Sequence, residues 1–362
     1  MLKLTRLQPT SSTPARFRIL SGCGDLGRAS SLLALLLMCV GLTACGNPID
    51  TDLNRAPGSS QVISLRQPGD LKPLPLRAGQ PLKVVASTSI IADVAANVGG
   101  EALELTVLIP RGVDPHAYQP TPGDLQALYQ ADLVLLNGFG LEVALEDELG
   151  AVSTSVAVVS LSDGLEPRTL AQEPGPNGEH AEQGEGLDPH VWFDPTMVSH
   201  WVDRIETALA QLNPDHAAEF HVNASRYRSE LESLDGWIRD QLISIPGGRR
   251  KLVLDHLVLG YFADRYDFEV VSALVPAFSS AAETSAHELA LLDTIIRSEG
   301  LPEIFIGMDT NPRLAEQLAG DLGIEVVQLY TGSLSRAGGP ANTYIEMMQY
   351  NVLAMQRVLG QE

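Results

Sequence analysis

Three of the eight histidines in this chain occupy similar settings, and imidazole binds transition metals at neutral pH without help from a thiol. His116 lies in Asp114-Pro115-His116-Ala117-Tyr118-Gln119-Pro120, and His190 in Asp188-Pro189-His190-Val191-Trp192-Phe193-Asp194-Pro195. His256 closes the run Lys251-Leu252-Val253-Leu254-Asp255. Two of the three follow Asp-Pro and the third follows Asp. Proline holds the residue before it extended. That Asp, or another nearby acceptor, can then orient the imidazole through the nitrogen facing away from a ligand. Loops at converging strand ends that each carry a histidine would make a Zn²⁺ site, with Zn–N distances of about 2.0–2.1 Å. His200, His216, His221 and His287 lie in helical stretches and read as surface or satisfied residues.

The elements that must position these histidines alternate in type. Strands are expected at 82–87, 103–109, 132–137, 155–160, 251–255, 268–275, 303–307 and 324–328, and helices near 89–98, 122–130, 141–149, 257–266, 284–299, 312–321 and 340–359. Alternation of this kind predicts an α/β fold with mostly parallel sheets, and the strand number predicts two lobes of about four strands each. Thr121-Pro122, Asp194-Pro195, Asn213-Pro214 and Asn311-Pro312 each place a capping residue before a proline at a helix start. From Pro214 to about Ile243, Phe220, Ala224, Tyr227, Leu231, Leu234, Ile238 and Leu242 recur every three or four residues. This predicts one long helix linking the lobes, stopped by Pro246-Gly247-Gly248.

The N-terminal stretch reads as an export signal. Lys3, Arg6, Arg16, Arg18 and Arg28 precede the apolar run Leu32–Leu42, which is too short to span a bilayer as a stable helix. Leu42-Thr43-Ala44-Cys45 resembles the bacterial lipobox, in which the Cys thiol receives the lipid. The expected organisation is a lipoprotein signal peptide over 1–44, a lipid-anchored flexible tether over 45–80, an N-terminal lobe over 81–213, the linking helix over 214–245 and a C-terminal lobe over 246–362. Removal of 1–44 takes Cys23 and Cys39 with it and leaves Cys45 for the lipid, so a metal site must rest on His and carboxylates. It also moves the formal charge from −21 to −25, which argues against nucleic acid as a partner. Residues 171–187 lack apolar periodicity and are expected to form an acidic loop, with His180 its one histidine.

Further motifs accompany the histidine segments: Leu82-Lys83-Val84-Val85-Ala86-Ser87-Thr88-Ser89, Ala131-Asp132-Leu133-Val134-Leu135-Leu136-Asn137-Gly138, Gly260-Tyr261-Phe262, and Gly339-Pro340-Ala341-Asn342-Thr343-Tyr344 running on to Met348. With them the chain resembles the zinc/manganese-type solute-binding lipoproteins of bacterial ABC importers over nearly all of residues 82–359. The resemblance implies two α/β lobes joined by a long helix, metal held between them, and an exported monomer that serves a permease and its ATPase. It implies His116 and His190 as ligands from the first lobe and His256 as the third. The third position is His in zinc-type members and Glu in many manganese-type ones, so Zn²⁺ is the expected cargo, with Mn²⁺ the alternative. Many relatives carry an Asp in a Tyr-Thr-Asp-Ser-like segment. Here Tyr330-Thr331-Gly332-Ser333 has Gly332 instead, and Gly307 stands where a Glu is common. Asp309 or a water remains for the fourth position.

Three histidines and an open position also describe a catalytic zinc. No His-Glu-x-x-His, Gly-x-Ser-x-Gly or phosphate-loop motif accompanies them. The expectation is a binding protein rather than an enzyme, and a surface-adhesin role is compatible with it as an addition.

Overall fold

Apolar runs bounded by turn residues build two separate sheets. In the computed structural model, which describes residues 63–77, 79–169 and 186–360, β1 (Leu82–Ala86), β2 (Leu103–Val107), β3 (Leu133–Leu136) and β4 (Ala157–Ser160) pair in the order β2-β1-β3-β4. A second sheet contains β5 (Lys251–His256), β6 (Glu269–Val275), β7 (Glu303–Gly307) and β8 (Glu325–Leu329) in the order β6-β5-β7-β8. Every pairing is parallel. All four residues of β3 and all five of β7 are buried, as strands covered on both faces require. The α/β class with two four-stranded lobes is therefore as the sequence predicts.

Helices α1 (Ser89–Gly99), α2 (Pro122–Gln130), α3 (Glu146–Val152) and α4 (Pro195–Leu212) belong to the first lobe. The second contains α6 (Gly260–Tyr266), α7 (Ala286–Glu299), α8 (Arg313–Leu322) and α9 (Tyr344–Leu359). Between them, after a 3-10 turn at Pro214–His216, runs α5 (Ala217–Leu242), 26 residues long. Its buried stripe is Phe220, Ala224, Tyr227, Leu231, Leu234, Ile238 and Leu242, the set whose spacing predicts the helix. That stripe packs on α1 and α4 from one lobe and on α9 from the other, so α5 is a shared wall of both cores.

Local differences from the sequence reading have local causes. Thr121 and Asp194 do cap their helices, accepting from Asp124 N and Thr196 N, whereas Asn213 makes no side-chain cap because a 3-10 turn intervenes. The last helix starts at Tyr344 rather than 340 because Thr343 and Glu346 form a capping box there. Residues 141–149 split into a 3-10 turn at Val143–Leu145 followed by α3. The sequence reading marks only the start of α4, yet this helix runs 18 residues and buries Val198, Trp201, Val202, Ile205, Ala208, Leu209 and Leu212.

Part of the expected tether is seated on the first lobe. Arg66 N donates to Val158 O at 2.8 Å and Leu74 N to Leu212 O at 2.9 Å, while Leu71 is buried and Leu74 and Leu76 pack against the core. Apolar side chains that find a groove in the fold gain more by burial than a free linker gains in entropy. Residues 1–62, with Cys45 and the leader, lie outside the described residues. Among the described residues, no helix is long and apolar enough to cross a membrane.

Starting the chain at residue 80 instead of 60 removes Leu71, Leu74 and Leu76. Fully burying one Leu is worth roughly 1.5–3 kcal/mol, so the shortened domain should lose about 2 kcal/mol or more in urea denaturation. An unchanged midpoint would mean that the segment rests on the lobe without stabilising it.

Candidate metal centre

His116 and His190 sit on short turns, and His256 is the last residue of β5. Asp114 is extended before Pro115 (φ −65°, ψ 120°), and its Oδ1 accepts from His116 N at 2.9 Å, closing a turn that presents the His116 ring. Asp188 repeats the device: its Oδ1 accepts from His190 N at 3.0 Å. Here the same oxygen also meets His190 Nδ1, at 2.8 Å. At the end of β5, Asp255 Oδ1 meets both His256 N, at 2.8 Å, and His256 Nδ1, at 2.9 Å. The other Asp255 oxygen accepts from Gly307 N at 2.8 Å and Thr310 Oγ1 at 2.7 Å, fastening β5 to the end of β7.

Two of the three expected carboxylates therefore orient a ring. The third, Asp114, holds only the backbone under His116, and its Oδ2 accepts from Ser280 Oγ at 2.5 Å across the lobes. With Nδ1–H of His190 and His256 donated to carboxylates, each Nε2 faces inward and offers a lone pair whenever its ring is neutral.

The inward nitrogens meet. One ring nitrogen from each of His116, His190 and His256 lies within 4.8 Å of the others, and His116 Nε2 is 3.1 Å from His190 Nε2. Ring centroids are 5.2 to 5.6 Å apart. Two nitrogens bound to one tetrahedral Zn²⁺ stand about 3.3–3.4 Å apart, so the observed spacing is close to what an ion needs. His256 Nε2 is buried with no hydrogen-bond partner, a costly state for a polar atom unless something is to bind it. The pocket enclosed by the three rings, Asp309 and Thr331 has no free volume for an organic ligand.

Electrostatics keep most of the cluster uncharged. Burial, and then the positive charge that His190 and His256 would carry, push His116 down to about 3. Burial and the His256 charge put His190 well below the usual imidazole value. His256 goes the other way. Burial opposes its charged form, but the bond to Asp255 and the charges of Asp255, Asp114 and Asp309 outweigh that and raise it. Asp255 is lowered because the bond and charge of His256, with the Gly307 and Thr310 donors, overcome burial. Burial raises Asp188 to about 7 despite the His190 N–H and Arg168. Burial and the charge of Asp114 raise Asp309 to about 6.

Several positioning residues were not foreseen. Asn137 Nδ2 donates to Pro189 O at 2.9 Å and so steadies the His190 turn. Glu142, itself buried, accepts from Ser87 Oγ and Asn137 N, each at 2.7 Å, and holds the Gly138-Phe139-Gly140 loop, where Phe139 adopts φ +52°. Tyr261 OH donates to Asp188 O at 2.8 Å from the second lobe. Trp192 Nε1 donates to Thr331 O at 2.8 Å, bringing the two sides of the site together. A groove of about 500 Å³, lined by Phe139, Leu141, Val143, Pro189, Phe278 and others, opens onto His116, the least buried of the three rings. Asn137, Trp192 and Tyr261 fall within the quoted motifs, but no local pattern gives their roles, because their partners lie far along the chain.

The other expectations divide. His200, His216 and His221 are satisfied by Asp163 O, Glu219 and Glu206, away from the cluster. His180, with residues 170–185, lies outside the described residues.

Comparison with known proteins adds identity to this geometry. A model of the family described as Zinc-uptake complex component A periplasmic matches residues 84–358. The zinc-binding protein TroA of Treponema pallidum is 34% identical over 280 residues, spanning 76% of this chain and 87% of that one. The manganese-binding lipoprotein MntA of Halalkalibacterium halodurans is 33% identical over 275 residues, with the same two shares, 76% and 87%. The solved structure of the periplasmic zinc-binding protein TroA from Treponema pallidum superposes with a TM-score of 0.71 at 31% identity, covering 78% of this chain and all of that one (100%).

The opposite shifts of the histidines can be read out directly. In the metal-free protein, NMR titration of the imidazoles should place His256 above the ordinary value of 6.5. In Asp255→Asn the carboxylate is gone while burial remains, so the His256 value should fall below 6.5. A value unchanged by the substitution would show that Asp255 is not what holds the proton.

Proposed function

The chain belongs to the family of the periplasmic zinc-uptake complex component A, and we propose that it captures one divalent transition-metal ion with His116, His190 and His256 and delivers it to an ABC importer. The observation that carries this reading is the inward-facing trio of ring nitrogens within 4.8 Å of one another, with an unpartnered His256 Nε2 among them. Two of the rings are locked by Asp188 and Asp255, so little ordering is needed when an ion arrives. His116 and His190 are held neutral, and a neutral imidazole is the form that ligates.

The ion is Zn²⁺. Three imidazoles suit zinc, whereas Mn²⁺ favours more oxygen ligands and binds nitrogen-rich sites more weakly. Mn²⁺ is the second reading. It is favoured by the Asp309 carboxylate on the pocket wall and by likeness to a relative named for manganese. The protein acts as a binding protein: the space within the three rings has room for an ion and none for an organic molecule. Export, a lipid on Cys45, a monomeric state and service to a permease with its ATPase complete the proposal. A formal charge of −21 leaves no basic footprint for nucleic acid.

Calorimetric titration of the metal-free domain (residues 46–362) should find one tight Zn²⁺ per chain and markedly weaker Mn²⁺. Mn²⁺ binding as tight as Zn²⁺ would replace the zinc reading with the manganese one. In His256→Ala, Zn²⁺ affinity should drop by on the order of a hundredfold or more with the fold intact. Affinity in that variant equal to the parent's would end the assignment. Affinity should also weaken with acidification. His256 holds its proton above the ordinary 6.5, so below that raised value the ion must displace a proton from it, and binding falls further as pH drops.

A further inference from the structure

Four carboxylates stand around the three imidazoles, and three of them have evident work. Asp188 and Asp255 orient rings, and Asp114 closes the turn under His116 while accepting from Ser280. Asp309 does none of this. It lines the same pocket as the three histidines but bonds to no imidazole. Its Oδ1 accepts from Thr331 Oγ1 and its Oδ2 from Gly332 N, both at 3.1 Å. The Asp309 amide also bonds to its own carboxylate, and with about two lone-pair sites on each of the two oxygens at least one site stays free. Among the described residues, no Lys or Arg pairs with Asp309. The carboxylate is thus buried without a Lys or Arg beside it, and the basic group it acts on is the His256 imidazole, whose charged form it favours.

Two glycines make the room for it. Gly307 ends β7, and Gly332 lies just beyond the end of the neighbouring β8. A Cβ on Gly332 would stand 2.8 Å from Asp309 Oδ2 and 2.6 Å from Pro115 Cδ. A Cβ on Gly307 would stand 2.8 Å from Asp309 Oδ1 and collide with Thr331 Oγ1. Each carboxylate oxygen therefore rests over one glycine, and a side chain at either position would displace it. Neither glycine has a positive φ, so close approach rather than backbone conformation accounts for them.

From this seat we infer that Asp309 supplies the fourth, oxygen ligand to the captured ion, and that Gly307 and Gly332 are glycine to seat it. The inference rests on the proposed metal-capture role. It turns the site into three nitrogens and one carboxylate oxygen, contributed as His116 and His190 from one lobe and His256 and Asp309 from the other. The ion then bridges the lobes with two ligands on each side and places its charge against the Asp309 carboxylate.

The test compares Asp309→Ala, Asp309→Asn and His256→Ala by competition for Zn²⁺ against a chromophoric chelator, with urea midpoints measured alongside. A crystal structure of the zinc-loaded parent completes it. Both Asp309 variants should fold and bind Zn²⁺ roughly tenfold or more weakly, and an Asp309 oxygen should lie about 2.0–2.2 Å from the ion. Zn²⁺ binding within twofold of the parent in both Asp309 variants, while His256→Ala loses it, would overturn this inference and leave the capture role standing. So would a water in the fourth position of the loaded structure. Undiminished binding in His256→Ala would instead remove the capture role, and this inference with it.

Discussion

Three imidazoles brought into contact and shielded from water repel one another strongly if more than one is charged. In this protein burial and mutual repulsion keep His116 and His190 neutral, and the single site that favours a proton is His256, against Asp255. The cluster thus avoids placing charge beside charge, with His256 the one ring whose charged form is favoured. Everything near the site serves this balance. Carboxylates fix the outward nitrogens of two rings, turns closed by Asp114 and Asp188 hold His116 and His190 in place, and the surrounding pocket excludes solvent.

The balance can be assembled only where two lobes meet. His116 and His190 come from loops beyond the first sheet, while His256, Asp309 and Thr331 lie at strand ends of the second. Polar bonds crossing between the lobes gather around this point. Trp192 reaches Thr331 O, Ser280 reaches Asp114, and Arg111 Nη1 donates to Ser335 O at 2.7 Å and Asn342 O at 2.9 Å. Behind them, α5 shares its apolar stripe with helices of both lobes, so the lobes are joined by packing as well as by chain connection.

Family membership places the chain among solute-binding proteins, but it leaves the metal open, since the relatives include one named for zinc and one for manganese at nearly equal identity. The distinction falls to donor atoms. Nitrogen-rich sets favour zinc, and each added oxygen shifts the balance toward harder ions. On the proposed reading, selectivity rests on the carboxylate over Gly307 and Gly332 more than on overall likeness to any one relative.

Much of this was legible in the sequence because it is local. The eight strands, the long helix with its seven buried positions, and the turns built by Asp114-Pro115 and Asp188-Pro189 depend on residues within a few positions of one another. The three histidines also stand out by local setting, and the structure brings those three together. Two absences were visible as well, since Gly307 and Gly332 depart from the resemblance. Only the tertiary structure decided what the departures mean. Asp309, two residues from one glycine and far from the other, covers both because β7 and β8 end side by side. The seating of residues 63–77 on the first lobe, the orientation of rings by Asp188 and Asp255 but not by Asp114, and the opposite proton affinities of otherwise similar histidines have the same origin. Periodicity and capping are set by neighbours along the chain. Burial, charge and close approach are set by neighbours in space, and those exist only once the lobes have packed.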